Sequence, residues 1–218
     1  MRQALPEGEN LAALLGGRRG AVDATLPGVG YVIAWVIAER FAPGSPAVAV
    51  GCAAALAVGL AVSIMRLRRG SAPRAVVLGL LGVAVAAVIA LHTGRAVDFF
   101  LVQVLSNAAS ALAWAASILI RWPFLGVIVG LVLGQRTRWR RDPALLRAYM
   151  RASWVWVGQY LVRLAVFVPL YLADQVVALG AARVVLSWPL VALCLAASWW
   201  VLRRSLPPDH PGLRHPSG

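Results

Sequence analysis

An all-α, polytopic transmembrane bundle of about six spans plus one short re-entrant or partial helix is the fold class this sequence predicts. Three observations carry that expectation. The 218-residue chain is 61% hydrophobic and only 13% charged, where a soluble domain is about 45–50% apolar and 25% charged. The runs AVAVGCAAALAVGLAVSIM (47–65) and AVVLGLLGVAVAAVIAL (75–91) carry no charge, and each is close to the ~20 residues that cross a bilayer. All 21 basic residues are arginine, and most lie in the polar segments between apolar runs, as expected when positive loops face the cytoplasm.

The elements follow in order. Residues 1–20 read as a cytoplasmic segment with a weakly amphipathic piece, ENLAALLGGRRG, whose Leu11, Leu14 and Leu15 suit an interfacial helix. No n-region, h-region and cleavage pattern marks a signal peptide. The transmembrane domain covers 21–202. Its first span is expected over about 21–41, with Asp23 in the first turn where a carboxylate favours the helix dipole. PGSP (43–46) is a tight turn before the second span, 46–65. The loop MRLRRGSAPR carries Arg66, Arg68, Arg69 and Arg74, and the third span runs 75–91. HTGRAVD (92–98) leads to the fourth span, 99–120. The fifth is expected at 150–172 and the sixth at 183–202, followed by a proline-rich tail, 203–218, read as disordered and cytoplasmic.

Between the fourth and fifth spans lies WPFLGVIVGLVLGQRTRWRRDP (122–143). Its apolar part, 123–134, reaches about 18 Å as a helix, short of the ~30 Å hydrocarbon core. Treated as a full span, it places Arg136, Arg138, Arg140, Arg141, Arg147 and Arg151 outside. Treated as a re-entrant or partial helix, it leaves 17 arginines inside, three outside (Arg40, Arg95, Arg183) and Arg163 within a span. The second arrangement obeys the positive-inside tendency and puts both termini in the cytoplasm of a cell bounded by this inner, plasma membrane. Such a segment needs cover from the bundle. Gly126, Gly130 and Gly134 recur every four residues and form a helix-packing stripe for it. A pore lining is the sharper reading of the same stripe. Trp122, Trp139, Trp154, Trp156, Trp199 and Trp200 fall near the inner boundary as an aromatic belt.

Polar groups within spans carry the functional expectations. Arg163, with Gln159 one turn before it, lies far into the fifth span, where an arginine costs at least about 2.5–3.5 kcal/mol. It either snorkels to the outer headgroups or pairs, with Asp98 the first choice of counter-charge. Gln103, Asn107, Ser110, Trp114 and Ser117 form a stripe on the fourth span that should face the bundle, either to hydrogen-bond between helices or to line a substrate route. Arg163, Gln159, Asp98, Gln103 and Asn107 are therefore the route candidates. AVD opens the first span (21–23) and the fourth (96–98), a hint of an inverted three-plus-three repeat.

Other classes find little support. HExxH, GxSxG, Walker and GxGxxG patterns are absent, so no catalytic residue is expected and the chain reads as a non-enzyme. Three histidines, two of them in the tail, and two cysteines inside apolar runs, Cys52 and Cys194, give no metal spacing. Neither metal nor cofactor is expected. The charge of +13 is assigned to topology rather than nucleic acid. The expected partners are the lipid bilayer and a second copy or another membrane protein.

The phrases GGRRGAVDATLP (16–27), ALHTGRAVDFFL (90–101), ILIRWPFLGVIVGLVLG (118–134), WRRDPALLRAYMRAS (139–153) and LVRLAVFVPLYLA (161–173) together resemble an uncharacterised polytopic membrane family of GC-rich Gram-positive bacteria, domain of unknown function 3159. The last three are distantly similar to intracellular septation protein A. The first resemblance implies fold and location and transfers no mechanism, whereas the second implies a role in envelope integrity or division. The function expected from the residues is transport or conduction of a small solute or ion, or an accessory role in it. The alternative is a non-catalytic scaffold of the cell envelope.

Overall fold

The computed structural model describes residues 17–134 and 137–207, with side chains from Asp23 onward. The expected interfacial piece before residue 17, the anchoring Arg136 and the tail from 208 lie outside the described residues. Every regular element described is helical: α1 (Gly17–Glu39), α2 (Ser45–Arg68), α3 (Pro73–Thr93), a 3₁₀ turn (Ala96–Phe100) running into α4 (Leu101–Leu119), α5 (Phe124–Val132), a second 3₁₀ turn (Arg138–Arg140), α6 (Pro143–Leu172), α7 (Val176–Val185) and α8 (Trp188–Ser205).

Among the described residues, five stretches are long and apolar enough to cross a membrane: 45–68, 73–93, 96–119, 143–172 and 176–205. The expected sixth crossing is α1, whose 23 residues reach about 34 Å. Its first six side chains lie outside those described. Leu78, Leu81, Val88, Leu112 and Leu119 stand exposed on α3 and α4. In water such surface would be an aggregation liability, whereas in a bilayer it is the lipid-facing side. This is a multi-pass membrane protein.

Three boundaries differ from expectation, each for a local reason. The last span starts at 176 rather than 183 and is two helices, interrupted at Leu186–Ser187, where the Ser187 hydroxyl donates to Val184 O at 2.7 Å. Pro189 follows at the start of α8, where a missing N–H costs no helical bond. This break puts Arg183 two turns into α7, not at the start of the last span. The helix expected from 150 starts at Pro143, because Asp142 Oδ1 accepts from the Ala144 and Leu145 N–H groups at 2.9 and 3.2 Å. An aspartate cap followed by proline is a strong helix start. Finally, Asp23 sits in the second turn of α1, and its carboxylate pairs with Arg69 at 3.6 Å.

The chain forms two compact units, residues 1–102 with 170–188, and residues 103–169 with 189–218. In the first, α1 and α2 approach closely. A methyl on Gly51 would meet the Tyr31 ring at 3.0 Å and Trp35 Cβ at 3.1 Å. Tyr31 stacks on Phe99 with centroids 4.0 Å apart, and its hydroxyl donates to Ala96 O at 2.8 Å. These contacts tie α1 to the 3₁₀ turn that opens α4.

In the second unit, α5 has nine residues, about 14 Å of helix, so the short element expected here is short. Leu125, Gly126 and Gly130 are buried. A methyl on Gly126 would meet Trp139 ring atoms at 2.9 Å, and Trp139 sits edge-on to Tyr149 at 5.6 Å. Two expectations need correction. Gly134 is not a packing residue: it lies past the helix end at φ 67°, and a methyl group at this position would meet nothing within 4 Å. In that left-handed position glycine ends the helix. Trp139 is fully buried rather than part of an interfacial belt, and Trp156 donates from Nε1 to Ser198 Oγ at 3.1 Å. Trp122, Trp154, Trp199 and Trp200 are the exposed members.

The expected repeat finds a parallel and a mismatch. Asp23 and Asp98 are both buried and both approached by an exposed arginine, Arg69 and Arg95. The middle helices of the two triplets differ, at 24 residues for α2 and 30 for α6, and the second triplet carries the nine-residue α5 besides.

Candidate functional site

The polar stripe on α4 divides into two halves with different work. At the C-terminal half, Ser117 Oγ donates to Trp114 O at 2.7 Å and accepts the Phe124 N–H at 3.3 Å. Trp114 meets the Phe124 ring edge-on at 5.5 Å. These two stripe residues hold the start of the short helix α5. Trp114 also stacks on Trp156 of α6, centroids 5.1 Å apart and 8° from parallel. That stack fixes the register between α4 and α6.

The register is antiparallel, because Asp98, just before α4, meets Tyr171 near the end of α6, whereas Trp114, later on α4, meets Trp156, earlier on α6. Asn107 precedes Trp114 by seven residues, and Arg163 follows Trp156 by seven. Each therefore lies about 10 Å from the tryptophan pair, toward the start of α4 and the end of α6, which puts the two at one level. Gln159 and Ser110 fall between that level and the tryptophans. The stripe faces inward: Asn107 is 2% exposed, while Leu105 and Leu112 on the opposite side are 58% and 71% exposed.

Asn107 Nδ2 and Gln159 Oε1 are fully buried, and neither has a hydrogen-bond partner among the described residues. A buried polar group left in this state costs about 1–3 kcal/mol. Arg163 adds a positive charge, its guanidinium 5.9 Å from the Tyr160 ring centroid and its Nε buried. Cys194 of α8, whose thiol lies 4.0 Å from Val155 O, is close enough to feel that charge. Gln103, the remaining route candidate, is half-buried at the N-terminal end of the stripe. An amide donor and a guanidinium at one level of a membrane helix pair, with an amide acceptor one turn nearer the tryptophans, are equipped to hold a polar solute by hydrogen bonds.

Asp98 belongs to a different group, in the first unit. It is 4% exposed. Its Oδ1 accepts from the Tyr171 hydroxyl at 2.5 Å and lies 3.9 Å from Arg95. Arg95 also donates to Asp174 at 2.7 Å, and this hydrogen bond, followed by the charges of Asp174 and Asp98, pushes the arginine's pKa up. The counter-charge expected for Arg163 is thus engaged by Tyr171 and Arg95. The group clamps the α3–α4 connection to the turn after α6, and the described contacts of the clamp do not include His92, which is exposed. The partners Arg95 and Asp98 were visible as an i, i+3 pair in HTGRAVD. Tyr171 and Asp174, more than 70 residues on, gave no local signal.

The profile of one family, described as a protein of unknown function (DUF3159), matches residues 15–209. The chain belongs to the DUF3159 family. The match takes in every helix described, so membership applies to the whole helical region rather than to one unit. No curated protein and no solved structure matches this family member. Membership assigns no chemistry, and the site above stands on its geometry.

Proposed function

We propose that this protein carries or conducts a small solute or ion across the plasma membrane, without enzymatic chemistry and with both termini in the cytoplasm. The turn of the α4–α6 pair that carries Asn107, Gln159 and Arg163 meets the solute. The observation that carries this reading is the pair of amide groups, Asn107 Nδ2 and Gln159 Oε1, buried within spans without partners among the described residues. Together they cost about 2–6 kcal/mol, and a solute that hydrogen-bonds to them recovers that cost. A purely structural envelope protein, the alternative, gains nothing from keeping them. Two further features agree. The half-length helix α5 and the interruption between α7 and α8 are the kinds of broken elements that membrane proteins tolerate where backbone is covered by protein or lines a cavity.

The test is flux into proteoliposomes holding the full chain, across a panel of ions and small neutral solutes. Wild type is expected to move at least one of them above empty vesicles. Asn107→Leu, Gln159→Leu and Arg163→Leu are each expected to slow it. Flux no greater than that of empty vesicles for the whole panel refutes the proposal.

A further inference from the structure

All the described arginines of the second unit except Arg163 are exposed, and the fold gathers them at one end. α8 runs antiparallel to α6: Ser198 accepts from Trp156, while Cys194, one turn earlier on α8, feels the charge of Arg163, seven residues later on α6. α4 is antiparallel to α6 as well, so α4 finishes, α6 begins and α8 finishes on the same side of the Trp114–Trp156 pair. Arg151 precedes Trp156 by five residues and Arg203 follows Ser198 by five, which puts both about 8 Å beyond that pair. Arg147 lies one turn before Arg151, and Arg138, Arg140 and Arg141 fall in the connection just before α6. Arg140 places its guanidinium 3.8 Å over the ring of Trp122, just past the end of α4, which ties the connection to the same end.

No acidic group on the described surface of this end answers the charge. The unit's one described carboxylate, Asp142, is 1% exposed and caps α6 through Oδ1. None of the exposed arginines forms an ion pair with a described carboxylate. Three of them are instead held by indoles: Arg140 on Trp122, Arg203 on Trp199 at 4.8 Å and Arg204 on Trp200 at 4.7 Å. A ring face steadies a cation but supplies no formal negative charge. All three rings are exposed. On α8, Trp199 and Trp200 continue the lipid-facing surface of the exposed Leu195 and Leu193, four and seven residues before them. Exposed indoles on such a surface settle at the membrane–water interface, so the guanidinium groups stacked on them stand at headgroup depth.

We propose that this end of the second unit is a docking surface for anionic phospholipid headgroups, with Arg140, Arg203 and Arg204 as its fixed contacts. A guanidinium donates charge-assisted, bidentate hydrogen bonds to a phosphate. The headgroup of phosphatidylcholine brings an ammonium that the patch repels, whereas that of phosphatidylglycerol brings none. The occupant is lipid rather than a soluble acid because the arginines stand on tryptophans of the lipid-facing surface. The inference is independent of the solute-transport reading above.

The experiment places the full chain in phosphatidylcholine vesicles that carry a minor fraction of either phosphatidylglycerol or phosphatidylcholine, dibrominated near the headgroup end of the acyl chains. Bromine quenches tryptophan fluorescence on contact, so Trp122, Trp199 and Trp200 report the lipid beside the patch. Wild type is expected to favour phosphatidylglycerol by roughly fivefold or more, the worth of one arginine at an anionic surface. Salt near about 1 M, where the screening length is about 3 Å, should shrink the preference. The triple variant Arg140→Gln, Arg203→Gln, Arg204→Gln should lose most of it. Arg140→Lys, Arg203→Lys, Arg204→Lys, which keeps the charges, should retain most of it, and this guards against a variant that merely folds poorly. Arg66→Gln, Arg68→Gln, Arg74→Gln removes as many charges from the first unit and should leave the preference unchanged. Equal quenching by the two lipids in wild type overturns the proposal. A preference that the glutamine triple at 140, 203 and 204 keeps overturns the site, as does one that the first-unit triple loses equally, since net charge alone is then at work. Removal of the preference by soluble glycerol phosphate puts a free phosphate ester in place of the lipid and overturns the lipid assignment.

Discussion

The seat of the short helix rests on one contact, and a single methyl group tests it. A Cβ at position 126 would lie 2.9 Å from two ring atoms of Trp139, closer than packed carbon atoms come. Trp139 is fully buried and braced edge-on by Tyr149 at 5.6 Å, so its rigid ring has little room to yield. Forcing a methyl into a packed site costs about 1–3 kcal/mol, roughly a five- to 150-fold shift in the folding equilibrium. Reversible unfolding of Gly126→Ala by SDS in mixed micelles, followed by tryptophan fluorescence, measures this loss. In a Trp139→Leu background the same alanine should cost little, since the ring it strikes is gone, and the double-mutant cycle isolates that coupling. Gly134→Ala is the control. It meets no atom within 4 Å but holds φ at 67°, so it should cost about 1–2 kcal/mol whether or not Trp139 is present. Wild-type stability for Gly126→Ala, or an equal loss with and without Trp139, refutes the packing account.

Two further predictions concern the N-terminal end of α6 and its side of the membrane. Asp142→Ala removes the acceptor for the Ala144 and Leu145 N–H groups and should lower stability by at least the roughly 0.5–2 kcal/mol of a lost cap, read in the same SDS titration. Thr137→Cys, exposed in the arginine-rich connection after α5, with Cys52 and Cys194 changed to alanine, should react with a membrane-impermeant thiol reagent in inverted vesicles and not on intact cells. The opposite pattern would put that connection outside and make α5 part of a full crossing.

The long helices were legible because their signal is continuous. Apolar runs of 17–19 residues leave few alternatives, and α2 and α3 extend them by only two or three residues at each end. The short α5 was legible because its length and the arginines after it disagreed with a full span. The direction of the α4 stripe followed from spacing, and Asn107, Trp114 and Ser117 are buried as a one-faced stripe requires. What spacing did not reveal was how the stripe splits. Ser117 is occupied with the Phe124 N–H, a contact created by the turn at Arg121, where φ is 55°. Spacing of four also treated Gly134 like Gly126, although one ends a helix and the other packs. The interruption at Leu186–Ser187 lay inside an apolar stretch, where hydropathy does not change, and Pro189 was its only mark. Pairs distant in sequence, Asp23 with Arg69 and Asp98 with Tyr171, required the fold.

The most direct test of whether the inward face of α4 meets a solute is the reactivity of a thiol placed on it. In the chain with Cys52 and Cys194 replaced by alanine, Ser110→Cys sits on the inward stripe, and Leu112→Cys, two residues on, points away, where the wild-type side chain is 71% exposed to the surroundings of the bundle. A charged methanethiosulfonate reagent, which reacts with thiols in water and not in lipid, is applied to membranes holding each variant. A solute route predicts that Ser110→Cys is modified and Leu112→Cys is not. Ser110→Cys as unreactive as Leu112→Cys, from both sides of the membrane, contradicts it.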